Sequence, residues 1–174
     1  ADTNNKVFDF VLERLRGYYH EREVTPAVFD SVLSCRPTQP LDFDQRIAAV
    51  KDFVIREESA SLSAANKRIH NLLKKTDEPI PDSVDSSLFE EDAEKALAAD
   101  LDQIRQQLDD ALAKDQYATA LEVLSTLRSP VDTFFEAVMV MSNNDAVRRN
   151  RLALLSQLRN QFLRIADISL LHTS

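Results

Sequence analysis

A single glycine, Gly17, constrains the fold of this 174-residue chain more than any other feature. Tight hairpin turns and β-bulges usually need glycine, because glycine adopts positive φ without steric cost. A β-sheet protein would lack residues for its turns, so the scarcity of glycine favours an all-α fold. It also excludes the glycine-rich loops that hold the phosphates of ATP or dinucleotides. Gly17 itself falls inside a predicted helix, where we expect it to mark a close helix crossing.

Apolar residues recur every three or four positions along most of the chain, which is the period of an amphipathic helix. No segment alternates apolar and polar residues for long, as a half-buried strand would. We therefore predict an all-α helical bundle of about seven to nine helices. The first helix is expected from Asn4 or Asn5 to about Arg22, and the others begin at Thr25-Pro26, Asp42, Ala64, Glu90, Tyr117, Ser129-Pro130 and Asn144 or Asp145. The helix after Ser129-Pro130 is expected to include Val138 and Met141 in its apolar face.

Prolines mark a division near the middle of the chain. Residues 76–88 contain Pro79 and Pro81, and this segment is the best candidate for a linker, because proline interrupts helices. Residues 58–63 are also expected to break or kink a helix. We treat residues 1–174 as one domain with a possible sub-bundle boundary at residues 76–88.

The residues that usually carry chemistry are few and scattered. Cys35 is the only cysteine, so an intramolecular disulfide and a cysteine-based zinc cluster are excluded. His20, His70 and His172 do not pair at the spacing of metal ligands on one helix. Neighbouring acidic residues diverge on a helix and make no acid/base couple. We predict no catalytic residue, no metal site and no cofactor in this segment.

The cellular location is predicted from what the chain lacks. No apolar run approaches the roughly 18 residues of a membrane-spanning helix, and no signal peptide is recognisable. A lone cysteine also suits a reducing compartment. We therefore expect a cytoplasmic protein. The chain begins without an initiator methionine, so we expect a fragment of a longer protein or a processed chain.

The net charge of −8 is distributed unevenly. Residues 1–75 carry a net charge of +1, residues 76–147 carry −13, and residues 148–174 carry +4. A strongly acidic middle therefore separates two neutral to basic segments, and the average hides this pattern.

Two of the predicted helices concentrate basic and amide side chains, which suit phosphates and base edges. In the first, Lys67, Asn71 and Lys74 share a face at positions i, i+4 and i+7. In the second, Arg148 to Arg151 lie near a helix N-terminus, where the macrodipole disfavours cations, and this placement hints at an anionic or acidic partner. The candidate RNA-binding residues are Asn66, Lys67, Arg68, Asn71, Lys74, Arg148, Arg149, Asn150, Arg151 and Arg159.

Other interpretations of these side chains stay open at this point. Lys74 lies near a helix C-terminus and complements the macrodipole there without any partner. Arg68 could instead form an ion pair with the acidic middle. Tyr18, Tyr19 and Phe43 could stack on bases, although core packing is favoured for each. From the residues alone, a nucleic acid and a protein are nearly equal candidates for the partner.

Several stretches together resemble the C-terminal region of the bacterial glycyl-tRNA synthetase beta subunit. They are VFDFVLERLR at residues 7–16, DFDQRIAAVK at 42–51, AANKRIHNLLK at 64–74, FFEAVMVM at 134–141, and NRLALL through FLRIADISLL at 150–171. The resemblance covers nearly the whole chain, and its specificity comes from the ordered set of segments.

This resemblance implies a helical anticodon-binding domain of the type that class I synthetases for arginine and cysteine also use. It implies that the segment is non-catalytic and recognises the anticodon arm of glycine tRNA. Catalysis, with ATP, would belong to a separate alpha subunit, and the partners would be that subunit and the rest of the beta chain, with no membrane and no DNA. It also implies that the chain is an excised C-terminal piece. Two motifs carry over, Asn66, Lys67, Arg68 and Asn71 in one, and Arg148, Asn150, Arg151, Arg159 and Arg164 in the other.

Two rival functions belong to other classes. The first is a helical protein-interaction domain that mediates subunit or interdomain docking with the same helices. The second is a helical enzyme with a carboxylate metal site, for which metal-dependent thermal stabilisation is the simple test.

Overall fold

The structure, a computed structural model, describes residue 11 and residues 14–171. Within these residues it contains eight α-helices, two short 3-10 helices and no strand, which confirms the all-α prediction. Residues 14–20 are helical and are named α1. The other helices are α2 Pro26–Leu33, α3 Pro40–Val54, α4 Glu57–Lys75, α5 Asp92–Leu112, α6 Tyr117–Ser125, α7 Arg128–Ala137 and α8 Asp145–Leu163, with 3-10 helices at Ser86–Leu88 and Ile168–Leu170. The predicted caps Asn4 and Asn5 lie outside the described residues.

Local capping residues set several helix starts. The Thr25 side chain accepts a hydrogen bond from the Val28 backbone N–H at 3.3 Å, and a proline occupies the first turn of α2. The Asn144 side chain accepts from the backbone N–H of Ala146 at 3.0 Å at the start of α8. Each cap satisfies a backbone donor that has no partner within its helix. The predicted starts at Thr25-Pro26 and at Asn144 are therefore confirmed.

Two predicted features of α3 and α4 are wrong. The N-cap of α3 is Gln39, and Asp42 lies in the first turn, where it pairs with Arg46 at 2.9 Å. Helix α4 is continuous from Glu57, so residues 58–63 neither break nor kink it. The interruption falls instead at residues 55–56, between α3 and α4. The serines of this segment resemble a break in the sequence, yet Ser59 and Ser63 are buried inside the helix against the core.

The end of α7 also differs from the prediction. The helix begins at Arg128 and stops at Ala137, and Val138 has an extended backbone. Val138 and Met141 therefore lie outside the helix, and Met141 is exposed instead of forming part of an apolar helical face. The alternation of valine and methionine in residues 138–141 fits an extended segment better than a helix.

One hydrophobic core joins helices from both sides of the 76–88 segment. Phe53 of α3, Leu97 of α5, Phe134 of α7 and Phe162 of α8 all belong to it. Helix α6 packs on α3 and α5, and α4 packs on α7 and α8. Among the described helices, none has the length and apolar character that crossing a bilayer requires.

The aromatic residues near the start of the chain belong mainly to this core. Tyr19 and Phe43 are buried with ring centroids 5.5 Å apart, so core packing is their role. Tyr18 is half-exposed, and the guanidinium of Arg22 lies 3.5 Å from its ring centroid. A Cβ added to Gly17 would meet no atom of the described residues within 4 Å, so none of the described helices makes the predicted close crossing there.

A candidate nucleic-acid interface at one end of the bundle

Antiparallel packing of α4 and α8 brings the two basic segments to one end of the bundle. Arg148, at the start of α8, pairs with Glu78, which follows the end of α4. Eleven residues along α8, Arg159 lies 3.3 Å from Nδ1 of His70, within α4. These contacts place the segment that follows α4 beside the first turn of α8, and His70 of α4 beside the second half of α8. The start of the acidic middle therefore meets the basic first turn of α8.

Arg151 points into the protein instead of outward. Its Nε donates to Glu94 at 3.0 Å, one Nη donates to Glu94 and Glu90 at 3.1 Å, and the other donates to the Met139 carbonyl at 2.9 Å. Glu94 is fully buried, and Arg151 is only 4% exposed. Burial on its own would raise the pKa of Glu94, but hydrogen bonds from Arg151 and from the backbone N–H groups of Glu91 and Glu90 lower that pKa below its usual value.

Three other predicted contacts are also internal. Asn150 accepts from the Asp85 backbone N–H at 2.8 Å and donates to the Asp85 carbonyl at 3.0 Å, which ties the 76–88 segment to α8. Arg159 donates to both carboxylate oxygens of Asp167, at 3.1 and 2.8 Å. Asn66 is buried and donates to the Leu62 carbonyl at 3.0 Å. The Asn150 and Arg159 contacts each join separate segments of the chain, whereas the Asn66 contact lies within α4.

These placements revise the role of four predicted residues. Asn66, Asn150, Arg151 and Arg159 are all buried, and burial leaves them no accessible surface for a ligand. The guanidinium groups of the two arginines and the Asn150 amide hydrogen-bond within the protein, as buried polar side chains generally must, whereas the buried Asn66 Oδ1 has no hydrogen-bond partner among the described residues. The side chains of these four are buried in the structure, and the hydrogen bonds that it shows for them are internal to the protein.

Arg148 is mostly buried and joins the start of α8 to the segment that follows α4. It pairs with Glu78 and with Asp145, the latter at 2.9 Å, and it donates to the Ser142 carbonyl at 2.8 Å. Neighbouring acids thus offset the unfavourable position of Arg148 near a helix N-terminus. The same holds for Arg151 and Glu94. The macrodipole argument for an external anionic partner is therefore wrong for these two arginines.

The remaining predicted residues stay at the surface. Lys67, Arg68, Asn71 and Lys74 are exposed on the second half of α4, and Arg149 is half-buried in the first turn of α8. In the part of the chain that the structure describes, no carboxylate lies within ion-pair distance of Lys67, Lys74, Lys75 or Arg149. Arg68 forms no ion pair with the acidic middle, and its guanidinium lies 4.4 Å from the Phe135 ring centroid.

The sequence alone did not single out the connection between α7 and α8. Residues 138–144 are named the α7–α8 loop. Within this loop, the Met139 carbonyl accepts a hydrogen bond from Arg151, and the Ser142 carbonyl accepts one from Arg148. Met139 is 74% exposed and Met141 is 49% exposed, and Asn143 is exposed as well. The signal that could have identified them is the period-two pattern Val-Met-Val-Met, which we interpreted as part of the apolar face of a helix.

Cys35 does not have the surroundings of a nucleophile. Its thiol donates to the Leu163 carbonyl at 3.2 Å, and burial raises its pKa. A raised pKa keeps the group as the less reactive thiol at neutral pH. Within the described residues, no group of three or more His, Cys, Asp and Glu side chains is placed to hold a metal ion.

Comparison with protein families gives a match that extends over residues 62–171 and is described as the DALR anticodon binding domain. This range contains most of α4, the α7–α8 loop and all of α8. It covers more than half of the chain. The chain belongs to the DALR anticodon-binding family. The DALR match therefore includes both basic segments at the candidate interface.

Relatives of this DALR domain share sequence over almost its whole length. The glycine–tRNA ligase beta subunit of Marinobacter nauticus is 48% identical over 174 residues, which is 99% of this chain and 25% of that protein. The subunits of Vibrio atlanticus and Shewanella putrefaciens, which carry the same name, are 48% and 47% identical, over 95% and 98% of this chain. The resemblance to this subunit is confirmed. The chain spans about a quarter of the length of these relatives.

Proposed function

We propose that this DALR domain recognises the anticodon arm of glycine tRNA as part of a glycine–tRNA ligase beta subunit. The domain contributes binding and no catalysis, and it supports ATP-dependent charging of the tRNA by a catalytic alpha subunit in the cytoplasm. The family match over both basic segments is the observation that carries this proposal. The names of the relatives are the basis for proposing glycine as the amino acid and the beta subunit as the protein that carries the domain.

Charge at the end of the bundle supports binding of an RNA backbone there. Lys67 and Lys74 are exposed on α4 without an ion-pair partner among the described residues, and Arg149 is half-buried in the first turn of α8. Arg148 pairs with both Glu78 and Asp145 and offsets one of their two negative charges. Phosphate contacts of this kind supply affinity and orientation, and base contacts add specificity.

The test is tRNA binding by the full-length ligase that carries this domain, measured over a range of salt concentrations. Replacing Lys74→Glu and Arg149→Glu together is expected to weaken binding of glycine tRNA. Each lost phosphate contact is expected to flatten the slope of log affinity against log salt by about one. Glycine anticodons end in two cytosines, and changing either is expected to weaken binding by the unmodified ligase.

Lys114→Glu is the matched control, because Lys114 is exposed just beyond the far end of α5. Helix α5 has 21 residues, which is a length of about 31 Å. This variant is expected to leave the salt slope unchanged. Equal effects of Lys114→Glu and the double variant, or no dependence on the anticodon cytosines, would contradict the proposal.

A docking role is the second candidate, and an apolar groove favours it. The groove has a volume of about 790 Å³ and is lined by Val11, Leu33, Pro37 and Phe43 among others. Cys35, which lies in sequence between the lining residues Leu33 and Arg36, contacts the Leu163 carbonyl, so the groove lies near the C-terminal end of α8. Under this candidate the remainder of the beta chain would fill the groove. Loss of tRNA-independent assembly in a Val11→Glu variant would support it.

A further inference from the structure

The α7–α8 loop presents side chains outward in a regular pattern. Val138 and Val140 are both 4% exposed, whereas Met139 between them is 74% exposed and Met141 is 49% exposed. The two valines anchor the loop in the core, and the alternation of an extended backbone turns the two methionines to solvent. The large exposed area of these methionines therefore contributes little to the core.

Arginines of α8 hold this loop in one conformation. Arg151 donates to the Met139 carbonyl at 2.9 Å, and Arg148 donates to the Ser142 carbonyl at 2.8 Å. Within the loop, the Ser142 backbone N–H donates to the Val140 carbonyl at 3.0 Å. Arg151 is itself fixed by the buried Glu94. A braced loop loses little conformational entropy when it binds a ligand, which favours recognition over simple connection.

The side chains around the loop include cations and aromatic or apolar groups, together with the exposed acids Glu136 and Asp145, the second of which pairs with Arg148. Arg68 rests on Phe135, which precedes Met139 by four residues, and Arg149 follows the loop in α8. The methionine thioether is polarisable and adapts to irregular or flat apolar surfaces. Asn143 is exposed and has no hydrogen-bond partner among the described residues, so its amide offers both donors and an acceptor.

Single-stranded RNA combines these properties, because its phosphates are anionic and its unstacked bases expose flat faces and polar edges. Resting on the function proposed above, we propose that the α7–α8 loop contacts the unstacked anticodon bases. Met139 and Met141 lie against base faces, and the Asn143 amide hydrogen-bonds to a base edge. The lysines of α4 and Arg149 hold the flanking phosphates. This division makes the loop the source of base discrimination and the cations the source of salt-dependent affinity.

The experiment compares two variants of the full-length ligase, Met139→Ser with Met141→Ser, and Asn143→Ala. Each is assayed with glycine tRNA and with the same tRNA carrying uridine in place of one anticodon cytosine. The methionine variant is expected to lose about tenfold in affinity for glycine tRNA. In both variants the ratio of the two tRNA affinities is expected to fall toward one, while the salt slope stays unchanged.

Ile55→Ser is the matched control, because Ile55 is 85% exposed between α3 and α4. It lies before the first residue of α4, about 25 Å along that helix from Lys74. This variant is expected to leave both the affinity and the ratio unchanged. It also reports whether loss of any exposed apolar side chain disturbs the ligase.

The outcomes separate this inference from the proposed function. If the unmodified ligase discriminates the anticodon cytosines and the loop variants do so equally well, the loop does not contact the bases, and the proposed function stands. An equal loss for both tRNAs also overturns base reading by the loop. If the loop variants lose association with another subunit instead, the loop is a protein contact. If the unmodified ligase does not distinguish the two tRNAs, the proposed function itself fails.

Discussion

At the scale of single residues, the main result is the division of the basic side chains into two groups. Arg151 and Arg159 are held inside the protein by Glu94 and Asp167, whereas Lys67 and Lys74 remain free at the surface. In the sequence, the two groups occur in similar motifs. Side-chain type and spacing do not show which cation will meet a carboxylate that is distant in the chain. Glu94 lies 57 residues from Arg151 in the chain. Only the packing of α5 against α8 brings the two together.

The buried pair of Arg151 and Glu94 gives a stability prediction. Replacing Arg151→Met alone leaves the Glu94 carboxylate buried without its partner, and we expect the free energy of unfolding to fall by about 3–5 kcal/mol. Replacing Glu94→Leu as well removes the uncompensated charge, so the double variant is expected to recover much of this loss. Urea denaturation of the chain and its three variants, including Glu94→Leu alone, measures the coupling. Additive losses in the double variant would show that the two residues do not act as a pair.

At the scale of elements, the sequence predicted helices well where local chemistry decides their boundaries. Thr25 before Pro26, and Asn144 before α8, are caps whose function depends on adjacent residues only. The failures occur where tertiary contacts decide. Burial of Ser59 and Ser63 keeps α4 continuous, and the contact of Arg151 with the Met139 carbonyl stabilises an extended segment after α7. Neither contact has a signature within the local sequence.

Helix α1 offers a prediction about its glycine. Gly17 is helical, and the space around its missing Cβ is open. Because glycine loses more backbone entropy than alanine in a helix, Gly17→Ala is expected to raise the free energy of unfolding by about 0.5–1 kcal/mol. Urea denaturation of the 174-residue chain measures the change. A decrease in stability would mean that Gly17 has a close neighbour or an unusual backbone conformation.

At the scale of the whole molecule, ion pairs within the fold neutralise part of the charge that is distributed unevenly along the sequence. The acidic middle supplies Glu94, which neutralises Arg151 in the interior, and Glu78, which neutralises Arg148 at the end of the bundle. The cations that form no ion pair among the described residues include Lys67 and Lys74 on α4 and Arg149 on α8, while Glu136 and Asp145 are exposed acids beside the α7–α8 loop. The sequence predicted that both basic segments matter. It did not predict that only part of each segment faces the solvent, because that depends on how α4 and α8 pack.

The central claim is that tRNA meets the domain at the end where α4 finishes and α8 begins. Hydrogen exchange of backbone amides in the full-length ligase, with and without glycine tRNA, tests it most directly, since exchange reports local opening at each segment. We expect tRNA to slow exchange in residues 66–78 and 138–151, and to leave α3 and α6 unchanged. Protection confined to α3 and α6, or no protection in residues 66–78 and 138–151 when tRNA is bound, would contradict the account.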